Sequence, residues 1–483
     1  MRYRFVGFVA LVTLMLAQAR AFAERPNLVV ILADDLGYGD CGCYGARHGL
    51  TGHLDRLARS GMRFTDSHSP SAVCTPTRYG LLTGRYAWRT RLKQGTLIGD
   101  SPALIEEGRL TLASLLQKQG YSTAAIGKWH LGLGIAAKTD FAQPLRPGPL
   151  SVGFNSFFGI PASLDMVPYV YVENERVLAL PTAQSEKSPK SNYFDGVFWR
   201  EGAAAPGFRH VDVLPALTKR ATEFINGQSA DRPFFLYFAL TSPHTPWVPT
   251  EEFRGRSALG EYGDFLAQTD AAVGRVLEAL EARNLADRTL VVFTSDNGAI
   301  PLPAQFAESG HRPNGAWRGQ KADIWEAGHR VPYLVRWPGH TPAGSTCSET
   351  ICHTDLLATV SAIIGAKLPD DAGEDSFSIL PLLTGQTRVH PVRTEIVHHS
   401  GDGAFALREG KWKAIFHLGS GGFSQPKREP PTADGPTGQL YDLEADPGET
   451  HNLWLDQPAI VTRLSARLDV LKREGRSRPR EGL

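Results

Sequence analysis

The chain has 483 residues, which is too long for one small module at roughly 100–200 residues per domain and fits one large α/β domain with an appendage, or two domains. Hydrophobic residues make up 42% and charged residues 21%, which excludes disordered and fibrous classes. The 51 Lys and Arg balance 50 Asp and Glu, which excludes a polybasic nucleic-acid binder, and the five cysteines are too few for a disulfide scaffold, so a large globular enzyme fits best.

Residues 1–23 predict a secretory signal peptide. Arg2 and Arg4 precede a largely apolar stretch over 5–17, and Ala-Phe-Ala at 21–23 is a small-x-small cleavage site. The stretch is too short to span a bilayer, and no later stretch is apolar for long enough. We expect the protein to be exported. A periplasmic or secreted location is favoured over a lysosomal or other lumenal one. Export permits disulfides, and the sequence leaves open whether Cys347 and Cys352 pair.

Four apolar runs, each followed by polar residues, predict strands that are buried on both faces of a sheet. They cover 27–33, 121–126, 234–240 and 289–295. Between them, apolar residues recur at helical spacing over 54–58, 112–116, 214–225 and 265–280. This alternation predicts an α/β fold with a large, mostly parallel sheet between helices, in which ligands bind at the carboxyl ends of the strands. The polar residues expected to meet there are Asp34, Asp35, Lys128, His130, His244, Asp296 and Asn297.

The last hundred residues predict a smaller unit. Short strand patterns at 395–397, 405–408, 411–416 and 440–443 precede a helical stripe at 460–468, which indicates a small antiparallel sheet packed with a helix. We therefore expect a catalytic α/β domain over 24–374 and a C-terminal subdomain over 375–483. The Gly- and Pro-rich stretch 419–438 is expected to form part of a pocket rim.

The strand ends offer oxygen ligands for a metal ion. An isolated Asp34-Asp35 would indicate a helix cap or a turn, but Asp296-Asn297 follows a second strand in the same way. Three carboxylates and an amide oxygen, with no His/Cys cluster beside them, favour a hard cation, Ca²⁺ ahead of Mg²⁺.

The segment Cys74-Thr75-Pro76-Thr77-Arg78 predicts the start of a short helix that ends at Gly84. Thr75 is expected to cap it, Pro76 suits the first helical position, and Arg78 is expected in the first turn. Cys74 is then placed at a helix N-terminus, where the helix dipole favours an anion and an unmodified cysteine is expected to be an activated thiolate.

The Cys-x-Pro-x-Arg segment, continued through Thr83-Gly84-Arg85, resembles the signature of the formylglycine-dependent type I sulfatases of the alkaline phosphatase superfamily. Further similar segments cover nearly all of the mature chain: 32–40, 127–132, 242–246, 295–298, 319–321 with 326–328, and 441–447. The resemblance is greatest to arylsulfatase-like and N-acetylgalactosamine-6-sulfatase-like members. One departure is Ala327, where a second glycine is commoner in the family, and we expect little consequence.

The resemblance implies a sulfatase that uses formylglycine, made from Cys74 by a formylglycine-generating or equivalent maturation enzyme, and one Ca²⁺. The implied metal ligands are Asp34, Asp35, Asp296, Asn297 and an oxygen of modified Cys74. Arg78 would hold the formylglycine hydroxyl, while Lys128 and Lys321 would bind the sulfate oxygens. His244 would protonate the leaving alcohol, and His130 would take the second diol proton. Ser163 is a weaker candidate for a sulfate contact.

The substrate implied is a sulfated carbohydrate, ahead of an aryl sulfate or a steroid. Tyr169, Tyr171, Tyr193, Trp199 and Arg200 suit stacking on a sugar and holding it. His398 and His399 either form a solvated turn or contact substrate.

Two other functions remain open on sequence grounds. A phosphatase or phosphodiesterase of the same superfamily would use Ser or Thr as nucleophile and bind two zinc ions. A catalytically dead protein that binds sulfated glycans would keep Cys74 as a thiol.

Overall fold

The strands of the structure belong to one large sheet and three small ones. The computed structural model describes residues 25–302 and 309–480, so the expected signal peptide lies outside the described residues. In chain order the strands are β1 (Asn27–Asp34), β2 (Met62–Phe64), β3 (Ser67–His68), β4 (Ser122–Lys128), β5 (Ser156–Ile160), β6 (Val172–Glu173), β7 (Arg176–Val177), β8 (Ala183–Gln184), β9 (Ala203–Ala204), β10 (Phe234–Pro243), β11 (Thr289–Ser295), β12 (Tyr333–Arg336), β13 (Ser345–Cys347), β14 (Ile351–Cys352), β15 (Glu395–His399), β16 (Phe405–Glu409), β17 (Trp412–Ile415) and β18 (Gln439–Asp442).

Helices cover both faces of the large sheet. In chain order they are α1 (Gly52–Arg59), α2 (Cys74–Thr83), α3 (Leu112–Lys118), α4 (Val213–Asn226), α5 (Gly260–Ala282), α6 (Glu326–His329), α7 (Asp355–Ile363), α8 (Leu380–Leu383) and α9 (Pro458–Glu474). Each of the four helical stripes predicted from the sequence coincides with a helix, namely α1, α3, α4 and α5.

The large sheet has ten strands in the order β13-β2-β12-β11-β1-β10-β4-β5-β6-β7. Its five central strands, from β11 to β5, are parallel, whereas β12 joins antiparallel on one side and β6 and β7 on the other. The four apolar runs are the four neighbouring strands β11, β1, β10 and β4. Their carboxyl ends therefore meet at one edge, which confirms the predicted fold class.

The alternating side chains of β1 enter two separate cores. Val29 and Ile31 pack with α1, α4 and α5, and Leu28 and Val30 pack with α2, α3 and α7 on the other face. Each such apolar side chain contributes about 1.5–3 kcal/mol when fully buried. A strand that is apolar at every position is stable only between two layers of helices, which is the arrangement here.

Gly127 shows why a small residue precedes Lys128. Its φ is +124°, and a Cβ at this position would lie 1.7 Å from the carbonyl oxygen of Ala239 on the neighbouring strand. Only glycine lets β4 continue beyond the expected end at residue 126 and pass this close to β10. Lys128 is consequently the last residue of β4, and its side chain begins inside the protein.

The C-terminal strands form a separate antiparallel sheet in the order β15-β16-β17-β18, with α9 packed on it. Leu464 and Leu468 of α9 share an apolar core with Leu407 and Leu440 of the sheet. This confirms the predicted antiparallel sheet and helix, while the boundary at residue 375 stays a prediction.

Two questions that the sequence leaves open in this part of the chain are decided by the structure. His398 and His399 belong to β15 and are buried, so they do not form a solvated turn, because their strand pairs with β16 along its whole length. Cys347 and Cys352 are free thiols on strands of different sheets, so no disulfide joins them. In residues 25–302 and 309–480, no helix is both long and apolar enough to cross a membrane.

Candidate active site

The residues predicted at the four strand ends meet beside one cavity of about 740 Å³ at the carboxyl edge of the large sheet. Cys74, His244 and Lys321 line this cavity directly. Strands β1 and β11 supply Asp34 and the segment before Asp296, and they pair in register up to Ala33 and Ser295. The parallel register therefore places the two acidic pairs side by side.

The acidic residues form a compact set of oxygen atoms. The backbone N–H of Asp35 donates to Asp296 Oδ1 at 3.1 Å, and Asn297 Nδ2 donates to Asp35 Oδ1 at 2.7 Å. The side-chain oxygen of Asn297 is fully buried and has no hydrogen-bond partner among residues 25–302 and 309–480. A buried amide oxygen without a donor is costly, and a hard cation is one ligand that this oxygen could bind.

Three buried cations oppose the three carboxylates. Arg78 donates to Asp296 Oδ2 at 2.8 and 3.2 Å, Lys128 donates to both oxygens of Asp34 at 2.8 and 2.9 Å, and Lys321 donates to Asp35 Oδ2 at 2.7 Å. The six formal charges cancel, so a divalent cation would give the cluster a net charge of about +2, which suits an anionic substrate.

These pairs change proton affinities in opposite directions. Burial alone raises the pKa of the Asp34 carboxyl, but the charges of Lys128, His244 and Arg78 lower it below its usual value. Burial alone lowers the pKa of Lys321, but Asp35 and other anionic groups nearby raise it well above the ordinary value for lysine. Both side chains are therefore charged at neutral pH.

Cys74 is the first residue of α2 and lines the cavity. Its Sγ is 3.8 Å from Asp34 Oδ1. Burial raises the pKa of the thiol to about 12, and Lys128 and Lys321 offset this only in part. The expected activated thiolate is therefore wrong for the unmodified cysteine, because desolvation outweighs the nearby positive charge.

The start of α2 also differs from the sequence expectation. Val73, not Thr75, is the N-cap residue, so the helix begins one residue before Thr75 and Arg78 is its fifth residue. The hydroxyl of Thr75 accepts from the backbone N–H of Leu97 at 3.1 Å instead of capping the helix. Gly84 ends the helix in the left-handed region, as predicted.

His130 is buried and held in one tautomer. Its Nε2 lies 2.7 Å from the carbonyl oxygen of Leu97, which can only accept, so Nε2 carries the proton. Nδ1 then has a free lone pair, and it finds no partner in the described part of the chain. Burial lowers the pKa of this imidazole well below 6.5, and Lys128 and Arg78 lower it further. A neutral histidine of this kind can accept a proton.

His244 lies just beyond the end of β10, with Nδ1 2.5 Å from the carbonyl oxygen of Thr245. Nδ1 therefore carries a proton, and Nε2 is the nitrogen that faces the hydroxyl group of Ser163. Ser163 contacts both Lys128 and His244. Lys128 Nζ donates a hydrogen bond to Ser163 Oγ at 3.1 Å, and the same Oγ lies 3.2 Å from His244 Nε2.

The outer wall of the cavity carries both aromatic and charged side chains. The aromatic side chains are those of Tyr193, Phe194, Phe198 and Phe423. Asp165 forms an ion pair with Arg200 and is itself fully buried. Asp165 Oδ1 lacks a hydrogen-bond donor among the residues that the structure describes.

Not every substrate-contact candidate reaches the cavity. Tyr193 and Arg200 line it, but Trp199 stacks on His210, Tyr171 stacks on Phe158, and Tyr169 is buried beside them. His399 is buried against Phe405, and its carbonyl oxygen accepts from the backbone N–H of Ala72. Asp165 and Phe423 were missed as individual residues, although Asp165 lies two positions after Ser163 and Phe423 falls in the predicted rim stretch.

A family model described as "Sulfatase" matches residues 26–366, which include every residue of this cluster. The chain belongs to the sulfatase family. It is therefore a sulfuric ester hydrolase that acts on sulfated substrates.

Several known sulfatases are similar to the chain over most of its length. An N-acetylgalactosamine-6-O-sulfatase of Bacteroides thetaiotaomicron is 35% identical over 93% of this chain and 94% of its own length. Human arylsulfatase A is 37% identical over 91% of this chain and 85% of its own. A solved structure from work on the metabolism of multiple glycosaminoglycans by Bacteroides thetaiotaomicron superposes with a TM-score of 0.82 at 34% identity, covering 93% of this chain and all of that one.

Proposed function

We propose that this sulfatase hydrolyses the sulfate ester of a carbohydrate, using formylglycine made from Cys74 and one bound Ca²⁺. The observation that carries the proposal is the position of Cys74. It is the first residue of a helix and lies in the wall of a cavity, with its Sγ 3.8 Å from Asp34 Oδ1. The positive charges of Lys128 and Lys321 are close enough to lower the pKa of its thiol. A buried thiol with a pKa of about 12 is a poor nucleophile, so this position is useful chemically only after modification.

The donor set fits a hard cation. Asp34, Asp35, Asp296 and the free amide oxygen of Asn297 would hold Ca²⁺, since all four offer oxygen. Bound Ca²⁺ would lower the pKa of a hydroxyl of hydrated formylglycine, which would be the nucleophile. Arg78 would hold that hydroxyl, because its guanidinium is fixed by Asp296 and by the carbonyl oxygen of Lys128.

The two lysines would bind the sulfate group. Lys128 and Lys321 are paired with Asp34 and Asp35, respectively. A divalent cation would take over these carboxylates and leave the ammonium groups for the sulfate oxygens, where charge develops in the transition state.

Two histidines are placed for the two proton transfers, His130 as the neutral tautomer with Nδ1 free, and His244 acting from its protonated form, which carries a proton on both ring nitrogens. His244 would deliver a proton from Nε2 to the oxygen of the departing alcohol, since its Nδ1 is fixed on Thr245. His130 would accept a proton at the free Nδ1 when sulfate is expelled and the aldehyde returns. Ser163 would orient Lys128 and His244 through its hydroxyl, whereas His399 has no role in the proposal.

The outer wall supports a carbohydrate as the substrate. Aromatic rings such as Phe423 suit the apolar face of a sugar, and the Asp165–Arg200 pair suits its hydroxyl groups. Among similar proteins, one is named for N-acetylgalactosamine 6-sulfate and another, human steryl-sulfatase, at 33% identity over 79% of this chain and 73% of its own length, for a sterol. The Asp165–Arg200 pair favours the first kind of substrate.

The proposal is tested by three measurements on one preparation, made together with a maturation enzyme. We expect sulfate release from defined sulfated saccharides, one calcium per chain, and a peptide containing residue 74 that is lighter by roughly 18 Da than the cysteine form. Two zinc ions with phosphate-ester turnover would favour a phosphatase instead. An unmodified thiol with glycan binding and no turnover would favour a dead binding protein.

We also propose that the protein is exported, periplasmic or secreted, on the signal pattern of residues 1–23. N-terminal sequencing of the mature protein tests this, and a new terminus near residue 24 is expected.

A further inference from the structure

A short turn between two small strands contributes a side chain to the active site. Tyr193 begins the single 3₁₀ turn Tyr193–Asp195, between the two-residue strands β8 and β9. The turn is tied to the segment that carries His244. The carbonyl oxygen of Gly196 accepts from the backbone N–H of Trp247 at 2.7 Å and from the hydroxyl of Thr245 at 2.5 Å.

The hydroxyl of Tyr193 joins three groups of the cluster. Lys321 Nζ donates to it at 3.0 Å, it lies 3.2 Å from His244 Nε2, and it lies 3.5 Å from Asp35 Oδ2. An ammonium group can only donate, so the phenol oxygen is the acceptor in the first contact. The phenol proton is then free to be donated to Nε2 of neutral His244, whose Nδ1 proton is held by Thr245.

His244 Nε2 therefore lies between two hydroxyl groups. Ser163 Oγ and the Tyr193 hydroxyl are each 3.2 Å from Nε2, and each accepts from a different lysine, Lys128 or Lys321. This arrangement couples the position of the imidazole to both ammonium groups that would bind sulfate. A phenol hydroxyl can both donate and accept a hydrogen bond, as these contacts require.

We propose that Tyr193 is a positioning residue that holds His244 Nε2 toward the oxygen of the leaving alcohol. This inference rests on the proposed function, because it assumes that His244 is the general acid. In the protonated imidazole, Nε2–H donates to the phenol oxygen until the leaving oxygen replaces it. The ring itself packs edge-on against Phe194 and Phe423, so Tyr193→Phe removes the hydroxyl and keeps the aromatic wall.

The test uses a series of phenyl sulfates, from 4-nitrophenyl through phenyl to 4-methoxyphenyl sulfate, which needs no knowledge of the natural sugar. A better leaving phenol needs less help from the general acid. We expect Tyr193→Phe to lower kcat/KM about tenfold on 4-methoxyphenyl sulfate, the effect of losing one hydrogen bond, and less than about twofold on 4-nitrophenyl sulfate. In the His244→Ala background the same substitution should add no dependence on the leaving group.

The matched control is Tyr171→Phe, since Tyr171 lies on Phe158 outside the cavity, and it should leave all rates unchanged. Equal losses of Tyr193→Phe on every phenyl sulfate would overturn the proposal, because they would assign the hydroxyl to Lys321 or to folding. The same leaving-group dependence with and without His244 would also overturn it. A wild-type protein that releases no sulfate would instead contradict the proposed function.

Discussion

Two buried clusters of this protein contain similar side chains but differ in what they can bind. One is the active-site cluster of Asp34, Asp35, Cys74 and His244, and the other is the junction cluster of His68, Glu326, His329 and His398. In each, one potential metal-ligating atom per residue lies within 4.8 Å of the others. Residue type, burial and spacing alone would predict a metal site at both.

The junction cluster lies where the C-terminal sheet meets the main domain. The ammonium group of a lysine already occupies the space between its side chains. Lys413 Nζ, from β17, is 3.0 Å from Glu326 Oε1, 2.8 Å from Glu449 Oε1 and 3.1 Å from His329 Nε2. Burial alone raises the pKa of Glu326, but Lys413 and Arg330 lower it well below its usual value. A fixed ammonium group therefore takes the place that a metal would need.

The active-site cluster differs because two of its members, Cys74 and His244, line a cavity, and because the neighbouring side-chain oxygen of Asn297 has no partner among the described residues. Lys321 beside it also lines this cavity, whereas none of the four residues of the junction cluster does. What distinguishes the proposed calcium site from the junction cluster is therefore an unsatisfied oxygen beside open space, since the two sets of residue types are similar.

The largest expected effect concerns Cys74. Cys74→Ser should lower sulfate turnover by at least about 10³-fold without unfolding the protein, since a serine ester formed with sulfate has no second geminal hydroxyl to expel it. Initial rates on a sulfate ester and the mass of the intact protein measure this, and a stable adduct on residue 74 is expected. Cys347→Ser is the control, and it should keep full turnover. Sustained turnover by the Cys74→Ser variant would refute the formylglycine mechanism.

Measuring the metal content of variants in each cluster tests which of the two clusters binds calcium. Asp296→Ala removes a proposed ligand and the partner of Arg78, so bound calcium should fall from about one per chain to nearly none. His398→Leu changes the junction cluster and should leave the calcium content unchanged. A second metal ion that disappears in His398→Leu would show that the junction cluster does bind metal and would break the comparison.

The carbohydrate specificity should depend on Asp165. Asp165→Asn keeps the shape of the side chain but removes the charge that would accept a sugar hydroxyl. We expect kcat/KM on a sulfated saccharide to fall about 10- to 100-fold, as for a lost hydrogen bond to a charged group, and kcat/KM on 4-nitrophenyl sulfate to fall less than about threefold. Asp212→Asn, an exposed carboxylate outside the cavity, is the matched control. Similar losses on both substrates would assign Asp165 to folding instead.

Sequence reasoning located the active-site cluster because its residues follow strands. Four apolar runs indicate four buried strands, and parallel pairing brings Asp34, Lys128, His244 and Asp296 to one edge without further information. The same reasoning could not locate the hydroxyl of Tyr193 or the ion pair of Asp165, because they come from irregular segments whose path depends on long-range packing.

The junction cluster was also out of reach from the sequence. His68, Glu326, His398 and Lys413 are far apart in the chain, and each fits an ordinary strand or helix pattern. His68 meets the helix of Glu326 within the main domain, and the packing of the C-terminal sheet brings His398 and Lys413 to them. The N-cap of α2 was placed at Thr75 for a related reason, since the competing contact of its hydroxyl with Leu97 is a tertiary one.

The smallest expected effect is the acid sensitivity of the junction cluster. Burial lowers the pKa of His68, His329 and His398, and for His398 the neighbouring His329, His68 and Lys413 lower it further, well below 6.5. The unfolded chain therefore binds more protons than the folded one once the pH falls below about 6.5, so stability is lost from there downward. Each such histidine contributes up to about 1.4 kcal/mol per pH unit to this slope.

His398 isolates one part of that slope, because both its ring nitrogens are buried without partners in the described residues. Its ring stacks on His329 with centroids 3.7 Å apart. The charged groups that face it are Lys413, Glu326 and, through His68, Asp66. Replacing it by leucine removes two unsatisfied polar atoms, so at pH 7.5 the melting temperature should change little. Between pH 7.5 and 5.5, the melting temperature of His398→Leu should fall less than that of the wild type. Parallel curves would show that His398 is protonated equally in the folded and unfolded states, which its burial beside Lys413 argues against.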